Sequence, residues 1–90
     1  MFTLVSDHGP VVNYESAQAP YRQVAAILRD RIETGRYPAG MRLPSINDLV
    51  QEFGIARVTA GKALRLLVAE GLAEMSPGMG FYVSTPSSAP

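Results

Sequence analysis

Arg57, Lys62 and Arg65 are the only charged residues between Ile55 and Leu66, a stretch that also holds Val58, Thr59 and Gly61. Placed on a helix, Val58, Gly61, Lys62 and Arg65 fall on one side, while Ala60, Ala63, Leu64 and Leu67 cluster on the other. An acid-free face of guanidinium and ammonium groups has the chemistry to hold a polyanion. Each group can neutralise a phosphate, and the arginine fork matches paired acceptors on a base edge. On an arbitrary helix the same residues would be a solvated surface, so their meaning depends on the elements that position them.

Other chemistries find little support. The chain has no cysteine and one histidine, His8, so no thiolate and no metal site can be assembled, and His8 reads as an ordinary surface residue. There is no phosphate loop, no paired-carboxylate cleft and no plausible Ser/His/Asp arrangement. We expect neither an enzyme nor a cofactor.

The elements follow from periodicity and punctuation. Pro20 stands at a first helical position, and Tyr21, Val24, Ile27, Leu28 and Ile32 recur at helical spacing, predicting helix one through Thr34 with Gly35 as its stop. Tyr37 to Gly40 reads as a turn. Ser45 with Asp48 forms an N-cap pattern for helix two, whose Ile46, Leu49, Val50 and Phe53 share a face until Gly54. Gly54-Ile55-Ala56 is a tight turn, and helix three is expected from Arg57 to Glu70, ended by Gly71. Leu72 to Ser76 and Phe81 to Ser84 then flank Pro77-Gly78-Met79-Gly80 as a hairpin. The expected architecture is mainly α with a small β-hairpin: three helices plus a wing, a winged helix-turn-helix.

Ninety residues suffice for one small domain. We expect an N-terminal arm over 1–18, in which Phe2, Leu4 and Val11-Val12 could form a short strand, the winged helix over 19–84, and a Ser/Pro-rich tail or linker over 85–90. An apolar fraction of 47% with 18% charged residues is that of a chain that folds. No run is long and apolar enough for a membrane span, and the start lacks a signal peptide's basic and apolar regions, so the expected location is cytoplasmic. Net charge is zero, eight Lys/Arg against eight Asp/Glu. A duplex binder is ordinarily basic, so the local concentration of cations between Ile55 and Leu66 carries the argument, and the sum does not.

Two helices joined by a Gly-containing turn place the second in a groove about as wide as a helix with its side chains. Its N-terminal residues then point at base edges, Arg57 first among them, while the hairpin straddles the adjacent backbone or enters the minor groove.

These residues also carry a family resemblance. Tyr21, Ile32, Gly35, Pro38 to Gly40, Leu43-Pro44-Ser45-Ile46-Asn47-Asp48-Leu49, Phe53-Gly54-Ile55, Arg57, Thr59, Ala63-Leu64, Leu67, Glu70-Gly71-Leu72 and Gly78-Met79-Gly80-Phe81-Tyr82-Val83 resemble the DNA-binding domain of GntR-type bacterial regulators over roughly residues 20 to 84. The resemblance implies that Ser45 caps helix two and touches phosphate, and that Asn47 faces DNA. It implies that Arg57 and Thr59 open the recognition helix, with Lys62 along it, and that Gly78 brings a bare backbone to the sugar-phosphate edge. With the helix face derived above, the expected DNA-binding set is Ser45, Asn47, Arg57, Val58, Thr59, Gly61, Lys62, Arg65 and Gly78.

The implied partner is a short palindromic operator of double-stranded DNA bound by a homodimer, a repressor or an activator, with no small-molecule effector site within this chain. Such domains usually precede a C-terminal ligand-sensing domain. Two readings stay open: a fragment ending in its linker, or a small regulator that dimerises through its arm or helix one. A protein-interaction module with weak or no DNA binding is the alternative, because winged helices host more than one function.

Three positions depart from the resembled pattern. Asn47 stands where an arginine is usual, Ala56 where a serine or threonine cap is usual, and Gly61 where an arginine is frequent. Weaker or differently specific binding is the expectation. A bare backbone at Gly61 would let the helix seat deeper in the groove.

Overall fold

The computed structural model describes residues 12 to 85. The strand expected around Phe2, Leu4 and Val11, the surface role of His8, and the tail beyond Thr85 lie outside the described residues.

Helix α1 spans Pro20–Glu33 with proline in its first turn, where the missing N–H is one that no helix bond would use. It turns Val24, Ala25 and Leu28 inward, and Gly35 closes it at φ 88°. Helix α2 spans Ile46–Phe53. The Asp48 N–H donates to Ser45 Oγ at 3.1 Å, and the Ser45 N–H donates to the Asp48 carboxylate at 3.0 Å. This reciprocal cap satisfies two backbone donors that the first turn leaves unpaired. Gly54, at φ 66°, ends α2 in the left-handed region. Buried Ile55 pins the turn, and α3 runs over Arg57–Ala69. Ala56 stands at its N-cap with no side-chain hydrogen bond to offer.

Strands β1 (Ala73–Ser76) and β2 (Gly80–Val83) pair antiparallel, with Ala73 opposite Val83 and Ser76 opposite Gly80. Each starts one residue away from the sequence expectation. Leu72 is excluded from β1 because its N–H is used to close the end of α3, donating to the Leu67 carbonyl at 2.9 Å.

The hairpin has a third participant, absent from the sequence reading. The Gly40 N–H donates to Val83, the Val83 N–H to Met41, and the Leu43 N–H to Phe81, at 2.9, 2.8 and 2.8 Å. Arg42 thereby lies opposite Tyr82 in an antiparallel bridge. The segment leading into α2 is stitched to the wing, so the wing cannot swing independently of the helix-turn-helix.

The described end of the arm is also fastened down. Val12 is buried in the core. The Asn13 backbone exchanges two hydrogen bonds of 2.8 Å with the Gln23 amide, and Tyr14 Oη reaches the Gly54 carbonyl at 3.4 Å. A pair of valines before a polar stretch gives no helical period and does not say where it packs, which is why this docking was not legible in the sequence.

Leu28, Leu49, Leu64, Leu67 and Val24 are the largest wholly buried side chains. Each contributes about 1.5–3 kcal/mol by leaving water. Ala25, Ala60 and Ala63, also wholly buried, keep the facing helix surfaces small, so that α1 and α3 approach closely.

One charge lies within this apolar frame. Arg31, 7% exposed, binds Glu52 at 2.6 Å and Tyr37 Oη at 2.7 Å, and its guanidinium lies 5.8 Å from the ring centres of both Tyr37 and Phe53. The Glu52 hydrogen bond raises its pKa against the lowering effect of burial. A buried cation without its partner is costly, whereas an exposed pair contributes little. Glu52→Ala, which leaves the Arg31 guanidinium buried without its carboxylate, should therefore lower stability by about 2–3 kcal/mol. Arg29→Ala, which breaks the more exposed 2.9 Å pair with Glu70, should cost less than about 1 kcal/mol. Urea unfolding of both variants checks the order; equal losses would show that Arg31 does not tie α1 to α2.

Candidate nucleic-acid interface

Burial of Ala60, Ala63, Leu64 and Leu67 leaves the opposite side of α3 facing outward, and Arg57, Val58, Lys62 and Arg65 are all exposed there. Thr59, at the flank of that face, is half-buried.

Each cation of α3 meets a neutral partner. Arg57 Nη1 donates to Asn47 Oδ1, joining the exposed side of α2 to the first residue of α3. Lys62 Nζ stands 5.6 Å from the centre of the Tyr21 ring, a cation–π geometry. Arg65 folds back over Gly61, where an added Cβ would come within 3.3 Å of both Nη atoms.

The Gly61 arrangement corrects the expectation of a bare backbone open to the groove. Gly61 is buried, because helical side chains lean toward the N-terminus and residue i+4 covers residue i. With no side chain of its own, Gly61 cannot keep Arg65 off.

Ser45 is half-buried with its hydroxyl engaged in the α2 cap. Gly78 occupies the exposed tip of the wing at φ 75°, in a turn closed by the Met79 N–H donating to Ser76 at 2.9 Å.

Arg42 is a further exposed cation that sequence reasoning passed over. It packs against Gly80, where a Cβ would lie 3.2 Å from its Nε. It also borders the cleft shared with Asn47, Arg57 and Phe81 and the one running to Gly78, so it bridges the start of α3 to the wing. The available signal was the apolar-polar-apolar order Met41-Arg42-Leu43, the residue pattern of a short edge strand.

Three carboxylates near the helix-turn-helix are occupied elsewhere. Glu52 pairs with Arg31, Glu70 pairs with Arg29, and Asp48 accepts from the Ser45 backbone. Among the described residues, Arg42, Arg57, Lys62 and Arg65 have no ion-pair partner. The zero net charge thus conceals a local surplus: Arg29 and Arg31 pair with acids, while the cations of α3 and Arg42 at the wing base have no ion pair among the described residues. Among the described residues, no group of three His, Cys, Asp or Glu is placed to hold a metal, and no helix is long and apolar enough to cross a membrane.

A helix-turn-helix whose second helix turns an uncompensated cationic face outward, followed by a hairpin fixed beside it, is a winged helix-turn-helix of the DNA-binding class. Residues 20–83 match the family model described as bacterial regulatory proteins, gntR family. The chain is 38% identical over 66 residues to the histidine utilization repressor of Pseudomonas putida, covering 73% of this chain and 27% of that protein. It is 43% identical over 63 residues to the mannosyl-D-glycerate transport/metabolism system repressor MngR of Escherichia coli K12, covering 70% of this chain and 26% of the repressor. In three dimensions it resembles the DNA-binding domain of AraR, solved in complex with operator ORE1, with a TM-score of 0.75, 29% identity, and coverage of 83% of this chain and 98% of that one. The chain belongs to the GntR family of bacterial regulatory proteins, and it spans about a quarter of the length of the curated relatives it matches.

Mid-helix glycine costs about 1 kcal/mol against alanine, and the only atoms a Cβ at Gly61 would crowd belong to the flexible end of Arg65. Gly61→Ala should therefore stabilise the domain by up to about 1 kcal/mol, raising Tm by about 4–8 °C. A thermal melt followed by circular dichroism checks this; a lowered Tm would mean that the close approach at Gly61 is rigid.

Proposed function

We propose that this domain reads duplex DNA sequence-specifically as the DNA-binding part of a transcriptional regulator, with α3 in the major groove and the hairpin along the adjacent backbone or minor groove. The observation that carries this is the set of α3 cations held by an amide, a ring and a bare backbone, with no ion pair to a carboxylate among the described residues. Such charge is unmatched until a polyanion supplies the phosphates.

In this reading Arg57, steadied by Asn47, reaches base edges together with Val58 and Thr59. Lys62, Arg65 and Arg42 neutralise phosphates, Arg65 from its seat on Gly61. Ser45 and the Gly78 backbone meet the sugar-phosphate edge at the two sides. The similarity to an operator-bound AraR domain supports DNA over a protein partner. We further propose that two copies bind the half-sites of a short palindrome, about one helical turn apart, that the regulator represses from the cytoplasm, as the names of two relatives suggest, and that it performs no catalytic step.

Binding should be measured on a duplex selected from a random pool, at several salt concentrations. Affinity should fall steeply with salt, and Lys62→Ala should weaken all sequences alike while reducing the slope by about 0.9 per domain. Arg57→Ala should relax base preference. Salt-independent binding, or binding unaffected by either substitution, would overturn the reading.

A further inference from the structure

Val58 is the most exposed apolar side chain of α3, 66% against 36% for Val68. At about 100° per residue it points about 180° away from Leu67, and it is 66% exposed where Leu67 is wholly buried. Of the other described valines, those at 12, 24 and 83 are buried, Val50 is half-buried and Val68 is exposed, farther along α3. Val58 stands in the first turn of α3 beside Arg57, with Lys62 and Arg65 on the same face.

The position suits one kind of ligand edge. A valine in a helix holds essentially one side-chain rotamer, so its two methyl groups form a fixed apolar knob. It has no hydrogen-bonding group and cannot satisfy the amino or carbonyl groups that line a major groove. The only apolar feature that a base pair presents there is the C5-methyl of thymine. A cytosine amino group or a guanine carbonyl pressed against Val58 would lose water and gain no partner.

We propose that Val58 is a specificity-determining residue that selects thymine through its C5-methyl group, one thymine in each half-site; this rests on the duplex-reading function proposed above. The side chain acts by excluding water from the methyl and by denying a hydrogen bond to the other bases.

The test uses the selected duplex with its thymines replaced one at a time by deoxyuridine, which pairs identically and lacks only the methyl. One position per half-site should lose about fourfold in affinity, the value of one buried methyl-sized group. Val58→Ala, a change at an exposed site that raises helix propensity, should erase the uracil penalty at that position. It should leave penalties at other thymines unchanged. Wild-type binding indifferent to uracil at every position, or a penalty that persists undiminished in Val58→Ala, would overturn the assignment while leaving DNA binding intact. Absence of binding to any duplex would overturn the functional reading and this inference together.

Discussion

The packing of the Ala60, Ala63, Leu64 and Leu67 stripe against α1 is the constraint on which the rest depends. Those four residues are wholly buried, and a helix with one face committed to the core has no freedom in where its other face points. The orientation of Arg57, Val58, Lys62 and Arg65 is thus decided by apolar residues that make no proposed contact with a ligand. Gly54 adds the second condition. Only a residue tolerant of φ 66° turns the chain sharply enough to bring Asn47 on α2 beside Arg57 on α3.

Charge is distributed by the same frame. Arg29 and Arg31 leave α1 toward acids that would otherwise lie near the cationic surface, Glu70 just beyond α3 and Glu52 on α2. Arg31 also joins Tyr37, Phe53 and Glu52, so one buried guanidinium both locks α2 to α1 and removes a negative charge from the field. For a long-range electrostatic attraction, that segregation matters more than a formal net charge of zero.

The three helices, their three glycine stops and the Ser45 cap were legible because each has a local cause: apolar periodicity, a left-handed residue, a hydroxyl three positions before a carboxylate. The outward placement of Arg57, Val58, Lys62 and Arg65 followed from the same periodicity. Features that depend on residues distant in sequence were not legible. Pairing of Met41 and Leu43 with the wing comes from backbone hydrogen bonds that carry no side-chain signature, so Arg42 was missed as part of the surface. Gly61 was placed on the open face because a helical wheel counts angles and does not follow a long side chain back over the preceding turn. The partners of Arg31, at Tyr37 and Glu52, likewise appear only once α1 and α2 are packed.

Asn47 and Gly61 depart from the resembled pattern in the same sense, each lacking a charge that an arginine would bring, and each lies against an arginine that is present. Counting donors alone, both are losses. A guanidinium already held by an amide or laid on bare backbone has fewer rotamers to surrender when it meets a ligand, and immobilising a long side chain costs about 0.5–1.5 kcal/mol at an interface. In the proposed complex, fewer cations, each held before contact, would exchange some non-specific attraction to phosphate for better-defined geometry at the base edges. The fixed isopropyl group of Val58 belongs to the same pattern, since in the proposed complex it too would meet the groove with little conformational freedom left to lose.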